Sequence, residues 1–117
     1  MKFHHLVVSS VALAVSLSAH AANKPETIFV DGNCNNCHTK DFRTVGPTLV
    51  EVADKYRNDD GAQARLEKKI RSGGSGVWGI LPMPGTRGSI TDEDISTVVT
   101  WILQQKKSEP KKDAVAK

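Results

Sequence analysis

The chain has 117 residues and a formal net charge of +3 at pH 7, with 25% charged and 5% aromatic residues. This length is enough for one domain. A charge so close to balance, without an aromatic-rich basic stripe, argues against a nucleic-acid-binding protein.

The first residues have the features of a secretory signal peptide. Lys2 gives a positive start, residues 6–18 are mostly apolar and uncharged, and Ala19-His20-Ala21 places small residues where a signal peptidase cuts. The apolar run is shorter than the ~20 residues that a membrane-spanning helix needs. We therefore expect residues 1–21 to be removed on export to the periplasm, so that the mature chain begins at Ala22.

Removal of this segment would leave few side chains able to bind a metal ion. Three of the four histidines would leave with it, and His38 alone would remain. Met83 would be the single remaining methionine, whereas Cys34 and Cys37 would both stay. The compartment beyond the inner membrane is oxidising, and there a lone pair of cysteines normally forms a disulfide.

Apolar periodicity predicts an all-α domain over residues 22–105, because no stretch alternates long enough to form a strand. In chain order, we expect a helix from about Pro25 to Asp31, a second that begins at Pro47, a third over about 62–71 and a fourth that follows the cap Thr91.

Three segments outside these helices have predicted roles. Residues 58–61 form a turn in which Asp59 or Asp60 is expected to cap the third helix. Residues 72–90 form a long loop, and a loop of this length in a small domain indicates a function. Residues 106–117 are rich in lysine and lack apolar periodicity, which predicts a disordered basic tail.

The segment Cys34-Asn35-Asn36-Cys37-His38 carries the most specific chemistry in the sequence. Each thiol can add to one vinyl group of a haem, and the adjacent His38 is then held under the iron as an axial ligand. Because this spacing is the signature of haem attachment, we predict one haem c bound covalently through Cys34 and Cys37.

Other interpretations of this segment fit the sequence less well. A thioredoxin-like redox pair requires a βαβ setting, which the pattern lacks. Zinc requires about four ligands, and only three good ones are present. A plain structural disulfide is compatible with an exported protein, but it would leave the long loop that carries Met83 without a purpose.

Met83 is the predicted second axial ligand. No other histidine remains in the mature chain, which excludes ligation by two histidines. Pro82 and Pro84 stiffen the backbone around Met83, and a methionine in such a loop is an unexpected core filler. Ligation by histidine and methionine raises the reduction potential of haem. It also leaves no open iron position, which favours electron transfer over catalysis.

These features together resemble the small bacterial class I monohaem cytochromes c, which carry electrons in the periplasm. The resemblance covers about residues 23–105 and rests on six motifs in the family's order, namely Cys34-Asn35-Asn36-Cys37-His38, Val45-Gly46-Pro47, Lys69-Ile70, Gly76-Val77-Trp78-Gly79, Pro82-Met83-Pro84 and Trp101.

The resemblance implies the cytochrome c fold, with about four short helices around one haem, and a role for several side chains. Pro47 would accept a hydrogen bond from the ring of His38. Trp78 would donate its indole N–H to a haem propionate. Lys69 would lie near a propionate, at a position where close relatives often carry arginine.

The resemblance also implies that the first and last helices cross near the haem edge, where Phe29 and Trp101 would pack. The sequence departs from the family after Met83. Close relatives often have a further proline and an asparagine there, whereas this chain has Pro84-Gly85-Thr86-Arg87-Gly88. The orientation of the methionine therefore stays open at this point.

The predicted function is that of a monomeric, diffusible electron carrier and not of an enzyme. Its partners would be a respiratory donor and a terminal reductase, oxidase or peroxidase, which would contact an apolar patch near Ile80, Leu81 and Pro82. Neither nucleic acid nor stable membrane insertion is expected. Two alternatives remain: an enzyme that binds a gas or a peroxide at an open iron, and a subunit of a larger redox complex.

Overall fold

The computed structural model describes residues 23–86, 88 and 90–106. These residues form four α-helices in the order α1 (Pro25–Asp31), α2 (Leu49–Tyr56), α3 (Ala62–Ser72) and α4 (Asp92–Leu103), with a short 3-10 helix (Cys34–Asn36) between the first two. The described ranges contain no strand, which confirms the all-α prediction. The predicted signal peptide, and all of the predicted tail except Lys106, lie outside them.

The first helix has the predicted bounds, but α2 begins at Leu49 and not at Pro47. Thr48 is the reason. Its hydroxyl accepts a hydrogen bond from the backbone N–H of Glu51 at 3.0 Å, and the Glu51 carboxylate accepts one from the Thr48 N–H at 2.8 Å. This reciprocal capping box ends the extended segment at Thr48. Pro47 is thereby left outside the helix, with its carbonyl free for another partner.

The predicted cap of α3 is wrong. Gly61 occupies the N-cap position, and no side chain caps the helix there. The Asp59 carboxylate instead accepts a hydrogen bond from the Gly61 N–H at 2.9 Å and forms an ion pair with Arg65. This Asx-type turn is a local alternative to capping that is open to aspartate. The helix ends at Ser72, one residue later than predicted.

The last helix lies at the centre of the fold, because α1, α2 and α3 all pack against it. Its inward face contains the fully buried side chains Ile95, Val98 and Val99. Phe29 of α1 meets Trp101 of α4 with the ring centroids 5.6 Å apart and the planes inclined at 60°, a geometry that aromatic pairs favour. No helix in the described part of the chain is both long and apolar enough to cross a membrane.

The carboxyl group of Glu51 makes the free energy of unfolding depend on pH. Hydrogen bonds from the Thr48 backbone N–H and from Arg43 lower the pKa of its carboxyl group below the ordinary 4.5. A lowered native pKa means that the stabilisation is complete above the unfolded-state pKa and is lost as the pH falls through the native one. We expect urea midpoints of the wild type and Glu51→Gln to differ at about pH 6 and to converge towards about pH 3.

The matched control for this prediction is Glu26→Gln, which changes an exposed carboxylate in the first turn of α1. Its urea midpoint should stay close to that of the wild type across the same range. A difference between Glu51→Gln and the wild type that is the same at every pH would contradict the assignment.

Candidate functional site

One cavity is lined by all the residues that the sequence analysis predicts to bind the haem. Its volume is about 430 Å³, within the range of roughly 300–1,000 Å³ that small-molecule sites occupy. Apolar side chains from α2, α3, α4 and the loop after α3 form most of its wall. Among the lining residues are the seven predicted site residues: Cys34, Cys37, His38, Pro47, Lys69, Trp78 and Met83.

The two cysteines and the histidine lie on one tight turn. Asn33 precedes this turn in the left-handed region with φ 59°, and the 3-10 helix then begins at Cys34. The Cys34 carbonyl accepts hydrogen bonds from the backbone N–H groups of Cys37, at 3.1 Å, and of His38, at 2.9 Å. Periodicity did not predict this helix, because three residues are too few to show a repeat.

The thiols of Cys34 and Cys37 are not joined in a disulfide, and both are half-buried. Burial raises the pKa of the Cys34 thiol, with a smaller contribution in the same direction from Cys37 and an opposing one from a backbone hydrogen bond. Both cysteines also line the cavity, where their sulfur atoms can react with a bound group.

The ring of His38 is fixed by a backbone carbonyl. Its Nδ1 lies 2.8 Å from the Pro47 oxygen. Because a carbonyl can only accept, Nδ1 carries a proton, and Nε2 is the ring nitrogen left to bind a metal. This is the contact that the resemblance implies for Pro47. It depends on the capping box at Thr48, which holds Pro47 outside α2.

Gly46 also belongs to the site, although its place in the motif Val45-Gly46-Pro47 did not predict a role for it. A Cβ atom at this position would lie 2.4 Å from Cε1 of His38 and 2.8 Å from Nδ1. The Gly46 N–H also donates to the Cys37 carbonyl at 2.8 Å. The imidazole ring thus packs directly on the backbone at Gly46, in space that any side chain would fill.

The loop that carries Met83 is attached to the end of α3. Gly74 and Met83 exchange two backbone hydrogen bonds, each of 2.9 Å. Gly73, with φ 72°, permits this approach, because a Cβ atom there would lie 2.4 Å from the Met83 carbonyl oxygen. The Met83 side chain is half-buried and packs against the core. These two hydrogen bonds attach the backbone of Met83 to the chain at the end of α3.

Two cations lie against the indole of Trp78. The Arg43 guanidinium is 5.8 Å from a ring centroid of Trp78, and the Lys55 ammonium is 5.5 Å away. Glu51 holds Arg43 through both of its carboxylate oxygens, at 2.8 and 3.0 Å. Sequence reasoning assigned no role to Arg43 or Lys55, because these residues are far from Trp78 along the chain.

The donor set fits a haem. Two thiols and an imidazole come from one turn, and a thioether sulfur belongs to the same apolar cavity. Lys69 and Arg43 also line this cavity, and their charges can balance carboxylates on an otherwise apolar ligand. A flat apolar ring with a central metal ion and acidic substituents would use each of these groups.

Comparisons with known proteins also indicate a haem protein. The model of the cytochrome c family matches residues 22–106. Cytochrome c-551 of Pseudomonas aeruginosa is 36% identical over 103 residues, which cover 87% of this chain and 97% of that protein. Cytochrome c-551 of Allochromatium vinosum is 46% identical over 70 residues, which cover 60% of this chain and 73% of that protein.

A solved structure has the same fold. The crystal structure of wild-type Nitrosomonas europaea cytochrome c552 superposes with a TM-score of 0.65 at 38% identity, covering 69% of this chain and 99% of that one. The resemblance stated from the sequence motifs is thereby confirmed. The chain belongs to the cytochrome c family, and it transfers electrons through a covalently bound c-type haem rather than acting as an enzyme.

Proposed function

We propose that the protein is a periplasmic electron carrier with a single haem c, attached through Cys34 and Cys37 and ligated by His38 and Met83. It passes one electron at a time between respiratory redox proteins. The observation that carries this proposal is the meeting of His38 and Met83 in one cavity that the two cysteines also line.

The proximal side is supported by the geometry of His38. Its Nδ1 donates to the Pro47 carbonyl at 2.8 Å, which leaves Nε2 as the free donor atom. This hydrogen bond also increases the electron density on the ring and makes the imidazole a stronger ligand. Gly46 limits where the ring can move, so that the ligand keeps one orientation.

The distal side is supported by Met83 and its attachments. The Gly74–Met83 bridge fixes the backbone at the end of α3, and the half-buried side chain reaches the cavity. With histidine and methionine as ligands, the iron has six ligands and no position for a substrate. A haem held by His38 and Met83 would supply one-electron redox chemistry, and the fixed backbone at both residues would keep its ligands in place.

The rest of the cavity has a supporting role. Its apolar wall would exclude water from the haem iron, and Lys69 and Trp78, which line the cavity, would bind the propionates. Lysine binds as a point charge, and the indole N–H is a single donor. Arg43 and Lys55, whose charges lie within 6 Å of the Trp78 ring at 5.8 and 5.5 Å, help to hold that ring in place.

The contact surface for partners is the apolar rim of the cavity. Ile80 is 92% exposed and Leu81 is 68% exposed, and Val45 and Val77 are exposed beside them. All four line the cavity, so that a partner bound here approaches the haem edge. Redox complexes of this kind are small and short-lived, and a patch of a few apolar side chains is sufficient. We propose that the carrier acts as a monomer.

Two measurements on the exported holoprotein test the proposed function. After extraction with acid and acetone, the haem should stay with the protein, because thioether bonds do not dissociate. Carbon monoxide should bind the reduced protein slowly or not at all at neutral pH, because Met83 occupies the distal position. Haem that washes out would refute covalent attachment, and rapid stoichiometric binding of carbon monoxide would favour an enzyme with an open iron.

A further inference from the structure

One arginine outside the cavity joins the end of α3 to the chain that follows Met83. Arg71 lies in the last turn of α3, and its side chain is 32% exposed. Its Nη1 donates to the carbonyl of Thr86 at 3.3 Å, and its Nη2 donates to the carbonyl of Ile90 at 3.0 Å. Its Nε donates to the Asp92 carboxylate at 3.1 Å.

Thr86 and Ile90 lie on the segment between Met83 and α4, and Asp92 is the first residue of α4. A backbone hydrogen bond from the Thr86 N–H to the Ile70 carbonyl, at 3.1 Å, joins this segment to α3. The guanidinium of Arg71 adds two side-chain hydrogen bonds, to the carbonyls of Thr86 and Ile90, that attach the chain after Met83 to the end of α3.

We propose that Arg71 is a positioning residue for Met83. The Gly74–Met83 bridge holds one side of the methionine, and Arg71 holds the chain beyond it. Together they keep the thioether in the cavity against competing ligands. This inference rests on the proposed ligation by Met83.

The planar guanidinium suits this task better than an ammonium group would. Arg71 uses three nitrogen atoms at once to reach two carbonyls and one carboxylate, and the fixed fork loses little conformational entropy for each bond. A lysine at position 71 would keep the charge but could not reach these acceptors together. Arg71→Lys therefore tests whether the geometry of these hydrogen bonds matters when the positive charge is kept.

Competition by imidazole tests the proposal. Imidazole is added to the oxidised holoprotein, and its binding is followed by the loss of the methionine–iron absorption band. Removal of two or three charge-assisted hydrogen bonds in Arg71→Ala should raise the apparent affinity for imidazole about tenfold or more. Arg71→Lys should raise it by less. The reduction potential should fall in the same order.

Arg65→Ala is the matched control. Arg65 lies on the same helix and also forms an ion pair with an aspartate, Asp59, but this pair lies at the other end of α3. The affinity of Arg65→Ala for imidazole should stay within about twofold of the wild-type value. Equal increases in Arg65→Ala and Arg71→Ala would refute the proposal, because general loosening of α3 would then explain both.

The outcomes also separate this inference from the proposed function. If the wild-type protein has no methionine–iron band, ligation by Met83 is wrong. If it has the band and both Arg71 variants bind imidazole as the wild type does, Arg71 is not a positioning residue, while the ligation stands. If Arg71→Ala does not fold with haem, Arg71→Lys is the deciding variant. A higher affinity for imidazole than in the wild type supports the proposal, and an unchanged affinity refutes it.

Discussion

Met83→Ala is expected to abolish the methionine–iron absorption band near the red end of the oxidised spectrum and to lower the reduction potential. The thioether is a soft ligand that favours the ferrous state, whereas alanine offers the iron no donor at all. Axial ligands set haem potentials over a range of roughly 0.8 V, so a drop on the order of 0.1 V or more is expected.

The measurement is a spectroelectrochemical titration of the purified holoprotein. Leu81→Ala is the matched control, because it shortens an exposed side chain of the same loop that has no donor atom for iron. The control should keep both the band and the potential. An unchanged band and potential in Met83→Ala would exclude this residue as the ligand.

Gly46→Ala is expected to displace the ring of His38. The new methyl group would lie 2.4 Å from Cε1 of His38 and 2.8 Å from Nδ1, which is closer than a Cβ atom approaches any neighbour it is not bonded to. The hydrogen bond between Nδ1 and the Pro47 carbonyl, at 2.8 Å, also restrains the ring, so it cannot rotate freely. Overpacking of this kind should lower the free energy of unfolding by about 2 kcal/mol.

The reduction potential gives a signature that general destabilisation would not. A displaced ring weakens the hydrogen bond to Pro47, which makes the imidazole a poorer donor to the ferric iron. The potential should therefore rise, opposite in sign to the change in Met83→Ala.

Gly61→Ala is the control for this substitution. A Cβ atom at Gly61 meets only the flexible end of Arg65, and the backbone has an ordinary negative φ. Urea unfolding should show a loss of about 1 kcal/mol or less, as for other N-cap changes, and no change in potential. Equal behaviour of the two glycine variants would show that Gly46 has no special relation to His38.

The fold was largely predictable because each helix carries local signals. Pro25 and Gly32 mark the two ends of α1, and the structure has the same bounds. Thr91 caps α4 as predicted, with its hydroxyl accepting a hydrogen bond from the backbone N–H of Asp94 at 3.1 Å. The start of α2 was misplaced because Pro47 and Thr48 are both good starting residues, and the reciprocal bonds between Thr48 and Glu51 decided between them.

The residues that line the candidate site were predictable from the sequence, whereas the residues that hold them in place were not. All seven predicted residues line one cavity, and their roles towards the haem remain proposals. The unpredicted residues are those that hold others in place, namely Gly46 against His38, Arg43 and Lys55 against Trp78, and Arg71 against the chain after Met83.

The sequence by itself determined the attachment segment and the choice of possible ligands, because both depend on spacing and on a count of residue types. Two cysteines three positions apart, one adjacent histidine and one methionine remain in the predicted mature chain. Only the tertiary structure decided how these groups are held. A steric contact or a hydrogen bond between distant residues leaves no periodic trace in a sequence, since it exists only once the helices have packed.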